Sequence, residues 1–147
     1  MNIKTLTPDL SVMPQVTETN IAELAGRGFK SIICNRPDDE SPDQPAWAAI
    51  NAAARSHGME TRHIPVTAAQ IGDDDVAAFA EALRDLPSPI AGYCRTGTRA
   101  AILWALADEG PQSADERIRI AASQGYDLEA FRARIGRSIR PPSSKPA

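Results

Sequence analysis

IAGYCRTGTRAAILWALA, residues 90–107, is the stretch that decides the fold of this 147-residue chain. Its first four residues are apolar or small and predict a short strand, Ile90–Tyr93. Six residues, Cys94–Arg99, form a polar loop, and the apolar run AAILWALA then predicts a buried helix. A strand, a loop and a buried helix in this order are typical of α/β proteins.

The flanking sequence repeats the alternation of strands and helices. Further strands are predicted at Leu10–Met13, Phe29–Cys34 and Met59–Ile64. Helices are predicted after the caps Thr17 and Ser113, from Pro45 to His57, from Asp73 to Leu83, and over Leu128–Ile135. We therefore expect a central, mostly parallel sheet of four or five strands with helices on both faces, and Cys94 at the carboxyl end of a strand.

Length and composition predict a single domain over residues 1–136, followed by a flexible tail, 137–147, rich in proline and serine. The apolar fraction of 42% and the charged fraction of 24% are ordinary for a globular protein. The net charge of −3 argues against nucleic-acid binding. No apolar stretch is long enough to span a membrane and the N-terminus lacks a signal-peptide core, so a cytoplasmic location is expected.

The loop Cys94–Arg99 has the composition of an anion-binding site. It leads into a helix, whose first backbone N–H groups have no partner inside the helix and point toward the loop. Gly97 permits a turn that a side chain would obstruct. Hydroxyl groups and positive charge come from Arg95, Thr96, Thr98 and Arg99. These surroundings favour a thiolate at Cys94 and indicate a nucleophile, although most lone cysteines are simply buried small residues.

Three segments resemble known families. YCRTGTRA, residues 93–100, is similar to the C-R-x-G-x-R active-site loop of rhodanese-like sulfurtransferases. LSVMPQVTETNIAELAGRGFKSIICNRPDDE, residues 10–40, resembles the opening of dual-specificity phosphatase-like folds, and QGYDLEAF, residues 124–131, adds to this likeness. Together they resemble the phosphatase-like domain of the beta-lactamase hydrolase-like family, which occurs alone or joined to metallo-β-lactamase-type persulfide dioxygenases. The resemblance covers about residues 8–136.

The resemblance implies a protein tyrosine or dual-specificity phosphatase-like fold, and either sulfur transfer or phosphate hydrolysis. Cysteine phosphatases place the phosphate-clamping arginine six residues after the nucleophile, whereas Arg99 follows Cys94 by five. The loop is in this respect closer to the sulfurtransferase version, which holds a cysteine persulfide.

A phosphatase also needs a general acid that protonates the departing alkoxide. The loop after the third strand begins Pro65–Thr67 and holds no carboxylate before Asp73. The acidic cluster Asp73–Asp75 could reach the site, but capping of the next helix also explains it. Sulfur transfer avoids the requirement, since a thiolate or sulfite leaves without a proton.

Three residues outside the loop are open to two interpretations each. Arg36 follows the second strand, so it either reaches the edge of Cys94 and binds substrate or pairs on the surface with Asp38, Asp39 or Glu40. Cys34 is expected in the core, and the alternative is a resolving disulfide with Cys94. His63 could point toward the site, but no metal-ligand spacing occurs, so neither a metal nor another cofactor is expected.

The expected activity is thiol-dependent sulfur transfer through a Cys94 persulfide. The donor would be a small anion such as thiosulfate or a persulfide, and the acceptor a thiol. Cys94 and Arg99 are the predicted catalytic residues, and the predicted anion-binding residues are Arg95, Thr96, Gly97, Thr98 and Arg36. The alternatives are a phosphatase with a phosphocysteine intermediate and a non-enzymatic binding or redox-sensing module. The family's fusions suggest a persulfide dioxygenase as a partner.

Overall fold

Strands and helices alternate along most of the chain in the computed structural model, which describes residues 1–107 and 109–137. The strands are β1 (Lys4–Thr7), β2 (Leu10–Met13), β3 (Ser31–Cys34), β4 (Glu60–His63) and β5 (Ile90–Tyr93). The helices are α1 (Glu18–Gly26), α2 (Trp47–Ser56), α3 (Asp73–Asp85), α4 (Thr98–Ala107), α5 (Ala114–Ser123) and α6 (Arg132–Arg137), and a 3-10 turn, Glu129–Phe131, precedes α6.

The five strands form one sheet in the order β1-β2-β5-β3-β4. All neighbouring pairs are parallel except β1 and β2, which run antiparallel. Tyr93 at the end of β5 lies opposite Met13 on one side and Cys34 on the other, so these strands end at the same edge. The prediction of an α/β fold with a mostly parallel sheet flanked by helices is confirmed.

The edge strand β1 was not predicted from the sequence. Of its four residues only Leu6 is buried, so no apolar pattern marks it. A tight turn joins β1 to its antiparallel partner β2. In this turn the Thr7 hydroxyl oxygen accepts hydrogen bonds from the backbone N–H groups of Asp9, at 3.2 Å, and Leu10, at 3.1 Å. Local turn chemistry, rather than burial, therefore adds the fifth strand.

Alternate residues of the central strands point into two separate cores. Ile33 packs on the side of α3, α4, α5 and α6, whereas Ile32 and Cys34 pack on the side of α1 and α2. This follows from the two-residue period of a strand. Every residue of α4 from Arg99 to Ala107 is buried, as expected for a helix with apolar residues all round. The helix after Cys94 is thus the centre of the larger core.

The predicted helices are present, although one of them is divided and the bounds of others shift by one or two residues. The side chains of Thr17 and Ser113 cap α1 and α5 as expected. The buried stripe of α5 runs through Arg117, Ile118 and Ala121, and Ala122 is exposed. Leu128–Ile135 is divided between the 3-10 turn and α6. The tail expected over 137–147 lies outside the described residues except for Arg137, which ends α6.

None of the helices in the described part of the chain is long and apolar enough to cross a lipid bilayer.

Replacement of Trp104 tests the role of α4 in the core. Trp104 is 1% exposed, and Trp104→Ala should lower the free energy of unfolding by about 3–5 kcal/mol, because it removes buried apolar area and leaves a cavity. Urea denaturation followed by circular dichroism measures this loss. Glu81→Ala, at an exposed position of α3, is the control and should change stability by less than about 0.5 kcal/mol. Equal losses in the two variants would contradict the packing described here.

Candidate active site

Backbone hydrogen bonds fix Cys94 at the middle of the sheet edge. Its N–H donates to the carbonyl of Met13 at 3.4 Å, and the Gln15 N–H donates to the carbonyl of Arg95 at 3.3 Å. On the other side, the Asn35 N–H donates to the carbonyl of Tyr93 at 2.8 Å. The loop that begins at Cys94 is therefore held by the ends of both neighbouring strands, and it lies where ligands bind in open α/β sheets.

Gly97 shapes the loop around the Cys94 sulfur. Its backbone N–H donates to Sγ of Cys94 at 3.1 Å. Gly97 has φ +94°, and a Cβ at this position would overlap the hydroxyl group of Tyr126. That hydroxyl donates to the carbonyl of Thr96 at 3.2 Å. The left-handed backbone and the close approach of Tyr126 both require glycine at position 97. The turn that glycine permits directs its N–H group toward the Cys94 sulfur.

The guanidinium group of Arg99 lies beside this sulfur and is fixed by two partners. Nη1 donates to Oε2 of Glu40 and to the carbonyl of Val66, both at 2.8 Å. Nη2 donates to Oε1 of Glu40 at 2.9 Å, so the carboxylate is bound through both oxygens. The bonds with Glu40 raise the pKa of Arg99, and the nearby Cys94 raises it further. Arg99 is consequently a permanent cation next to the Cys94 sulfur.

Arg36 shares the same carboxylate. Its Nε donates to Oε1 of Glu40 at 2.9 Å, and its Nη1 donates to Oε1 of Gln15 at 3.0 Å. The sequence left open whether Arg36 reaches the sheet edge at which Cys94 lies or forms a surface ion pair. It does pair with Glu40, but it is only 4% exposed, and Glu40 connects it to Arg99. The structure therefore brings Arg36 and Arg99 together around the partly exposed carboxylate of Glu40.

Glu40 is the site residue that the sequence reasoning missed, since it was considered only as a surface partner of Arg36. Hydrogen bonds from Arg99, and then from Arg36, lower the pKa of Glu40 to about 2. Its carboxyl group is thus ionised at neutral pH in this state. The available signal was the acidic run Asp38–Glu40 directly after a strand that ends beside Cys94.

The solvent exposure of the loop differs from residue to residue. Arg95 and Thr96 are exposed, Thr98 is half-buried, and Cys94 has no exposed surface at all. The Cys94 thiol is therefore enclosed in this state of the protein. Among residues 1–107 and 109–137, Arg95 has no ion-pair partner, so it is the loop cation that faces solvent.

The other candidate residues lie away from the sulfur or have structural partners. Cys34 donates a hydrogen bond from Sγ to the carbonyl of Arg36 at 3.3 Å, and burial raises its pKa, which favours the packing role. His63 stacks on Trp47 with ring centroids 5.0 Å apart, and its Nε2 lies 3.3 Å from the carbonyl oxygen of Arg36.

Two of the three carboxylates at the start of α3, those of Asp73 and Asp75, have structural contacts. Asp75 accepts a hydrogen bond from the Gly72 N–H at 2.9 Å, and Asp73 pairs with Arg134 at 3.2 Å. The capping interpretation therefore holds for Asp75. In the described ranges there is no cluster of three or more histidine, cysteine or acidic side chains able to hold a metal ion.

Comparison with known proteins points to one family. The model of the beta-lactamase hydrolase-like protein, phosphatase-like domain, matches residues 2–111. The beta-lactamase hydrolase-like protein of Xylella fastidiosa is 34% identical over 130 residues, which make up 87% of this chain and 30% of that protein. The relative from Agrobacterium fabrum is 32% identical over 121 residues, or 81% of this chain and 28% of that protein. The chain thus spans about 30% of the length of these curated relatives.

Solved structures share the fold. A candidate phosphatase from Neisseria meningitidis is 39% identical, with a TM-score of 0.80 over 93% of this chain and 98% of that chain. A candidate protein tyrosine phosphatase from Leishmania major superposes with a TM-score of 0.67 over 89% of this chain and 88% of that chain. Its identity is 19%, so this likeness concerns the fold alone.

The ion pairs of Glu40 make the stability of the protein depend on pH. The pKa of Glu40 falls from an ordinary 4.5 to about 2 on folding, so its pairs stabilise the protein above the unfolded value and lose this effect as pH falls toward the folded value. Glu40→Gln should therefore destabilise the protein clearly at pH 7, and the difference from wild type should shrink steadily at about pH 5, 4 and 3.

Urea unfolding of both proteins at each pH measures this difference. The exposed Glu60→Gln is the matched control for the loss of one carboxylate. A destabilisation by Glu40→Gln that stays constant from neutral to acidic pH would show that the ion pairs are not its cause.

Proposed function

Since the chain belongs to the phosphatase-like domain family of beta-lactamase hydrolase-like proteins, we propose that it is a cysteine-dependent phosphatase that hydrolyses phosphate monoesters. The chain has the fold of cysteine-type phosphatases. The observation that carries the proposal is the group around Cys94, in which the Gly97 N–H and the guanidinium of Arg99 both lie at the sulfur. These are donors of the kind that stabilise a phosphoryl group during its transfer.

The proposed reaction has two steps at one sulfur atom. The Cys94 thiolate attacks the phosphorus of the ester, and a phosphocysteine forms as the alcohol leaves. Water then attacks the phosphorus and releases inorganic phosphate. Throughout, Arg99 and the first N–H groups of α4 neutralise the charge on the phosphoryl oxygens. Arg95, which is exposed, would attract the anionic substrate from solution.

Phosphate hydrolysis replaces sulfur transfer as the first choice because of the relatives. The candidate phosphatase from Neisseria meningitidis is 39% identical to this chain over 98% of its own length. This likeness supports phosphate hydrolysis more strongly than the loop motif alone supports sulfur transfer. The loop motif is short, whereas the likeness extends over 93% of this chain.

Sulfur transfer is the second candidate, and the spacing of the loop favours it. Arg99 follows Cys94 by five residues, as in rhodanese-like loops, and residues 65–72 contain no carboxylate. In this case thiosulfate or a persulfide would donate sulfur to Cys94, and a thiol would accept it. A persulfide dioxygenase would then be the expected partner, as the resemblance to the family implies.

A single pair of variants tests the proposed function. Wild type should release phosphate from p-nitrophenyl phosphate, and Cys94→Ser should lose at least about 10³-fold in rate, because the phosphocysteine no longer forms. Cys34→Ser is the matched control, and it should keep most of the activity, because Cys34 packs in the core with α1 and α2 and its thiol donates to the carbonyl of Arg36. Intact-protein mass spectrometry of rapidly acid-quenched wild type should detect a phosphoryl group on Cys94.

Intact-protein mass spectrometry also distinguishes phosphate hydrolysis from sulfur transfer. If no phosphate is released, and incubation with thiosulfate or glutathione persulfide instead adds one sulfur to Cys94 that cyanide removes as thiocyanate, phosphatase function is excluded and sulfur transfer takes its place. If neither adduct forms and Cys94→Ser behaves as wild type with both substrates, the enzymatic proposal as a whole is refuted.

A further inference from the structure

The peptide unit between Thr96 and Gly97 carries the backbone donor that contacts the sulfur of Cys94. Its N–H donates to Sγ at 3.1 Å, and its carbonyl accepts a hydrogen bond from the hydroxyl of Tyr126 at 3.2 Å. Since a trans peptide is planar, its N–H and its carbonyl point in opposite directions and turn only together. A bond to the carbonyl therefore also fixes the direction of the N–H at the sulfur.

Gly97 does not select this direction by itself. Its φ is +94°, but glycine adopts positive and negative φ about equally readily, so the peptide unit can turn over at little steric cost. In the reversed direction the carbonyl oxygen of Thr96, instead of the N–H, would face Cys94. Its partial negative charge would disfavour a thiolate there. The bond from Tyr126 favours the direction that presents the N–H.

The end of α5, rather than the hydroxyl group, places Tyr126 beside the loop. Gly125 has φ +95°, and its N–H donates to the carbonyl of Ala122 at 3.0 Å. The Tyr126 N–H donates to the carbonyl of Ala121 at 2.9 Å. These two bonds form a Schellman motif, a common end of a helix. The Tyr126 ring is 7% exposed and belongs to the larger core, so loss of its hydroxyl should leave the ring in place.

The Tyr126 hydroxyl is a donor at every physiological pH. Burial, and then the nearby Cys94, raise the pKa of Tyr126, so the hydroxyl keeps its proton at neutral pH. The influence of Cys94 on this pKa also places the hydroxyl near the sulfur. Tyr126 lies outside residues 2–111, the part of the chain that the family model matches. The loop is thus held by a side chain from a separate segment.

We propose that Tyr126 is a positioning residue of this site, whose hydroxyl holds the peptide unit between Thr96 and Gly97 with its N–H toward Cys94 and so stabilises the thiolate. The proposal rests on the proposed function in one respect, the use of Cys94 as a nucleophile, and phosphate hydrolysis and sulfur transfer share that step. A hydrogen bond to the charged form of a group favours that form. Without the hydroxyl the N–H leaves the sulfur for part of the time, and less thiolate is present at a given pH.

Tyr126→Phe tests this role, because it removes the hydroxyl and keeps the ring. Iodoacetamide is uncharged and alkylates the thiolate, so its rate of reaction with Cys94 follows the thiolate fraction as pH is raised from about 5 to about 10. Mass spectrometry of the digested protein measures this rate on the peptide that contains Cys94, separately from Cys34. The half-maximal rate should move about one pH unit higher in the variant, and the high-pH plateau should change by less than about 2-fold.

The shape of the pH profile distinguishes positioning from simple covering of the sulfur. Arg99 and Cys34 also act electrostatically on Cys94, and both remain in Tyr126→Phe, so a displaced profile reports the lost hydroxyl. A rate that changes by the same factor at every pH would overturn the proposal, because the ring would then only cover the thiol. Profiles that coincide with wild type would overturn it as well, and so would a wild-type Cys94 that reacts at no pH.

Ser123→Ala is the matched control. It removes another hydroxyl of α5 that donates to a backbone carbonyl, that of Ile120 at 2.6 Å, but Ser123 is exposed and this bond lies within the helix. Its alkylation profile should coincide with that of wild type. If Tyr126→Phe does not fold, as judged by circular dichroism, Tyr126→4-fluorophenylalanine decides, since fluorine fills nearly the space of the hydroxyl and donates no hydrogen bond. The same displacement then supports the proposal, and a coincident profile refutes it.

The two proposals fail in different ways. Wild type that releases no phosphate from p-nitrophenyl phosphate, together with a displaced alkylation profile in Tyr126→Phe, contradicts only the phosphatase function. Wild type with Cys94-dependent phosphatase activity, together with coincident profiles, contradicts only the role of Tyr126.

Discussion

The parallel pairing of β5 with β2 and β3 is the constraint on which the site depends. Because β5 has a strand on each side, its carboxyl end lies in the middle of the sheet edge, and the ends of β2 and β3 bind the loop that follows. The same connection forces α4 onto the sheet, where every residue from Arg99 to Ala107 is buried. The candidate nucleophile Cys94, a helix N-terminus of the kind that binds anions and the centre of the core therefore come from one continuous segment.

Two buried cations, Arg36 and Arg99, explain why an acidic side chain lies at the carboxyl edge of the sheet. Arg36 and Arg99 are 4% and 8% exposed, and buried charges are costly unless they are paired. Glu40 pairs with both, so the three residues together carry one uncompensated positive charge beside Cys94. The group is therefore attractive to anions even though its own carboxylate occupies donors of both arginines. Competition between that carboxylate and a substrate anion follows from the same geometry.

The sequence predicted the elements that local patterns encode. Leu10–Met13 and Ile90–Tyr93 are strands as predicted, because apolar residues bounded by turns mark buried strands. The pair of Glu40 and Arg99 could not be predicted, since 59 residues separate them and only the strand order brings them together. The burial of Cys94 was missed for the same reason. Tyr126, which packs against the loop, comes from the segment after α5.

The five-residue spacing between Cys94 and Arg99 distinguishes sulfur transfer from phosphate hydrolysis less well than the sequence analysis predicted. Arg99 is the second residue of α4, and side chains of a helix tilt toward its N-terminus, here toward the loop and Cys94. An arginine five residues after the cysteine therefore still lies beside the sulfur. The five-residue spacing therefore brings a cation to the Cys94 sulfur, and the two candidate reactions differ instead in their need for a proton. A phosphatase needs a donor that protonates the departing alkoxide, whereas a thiolate or sulfite leaves without one, so the proton donor separates the two reactions better than the length of the loop does.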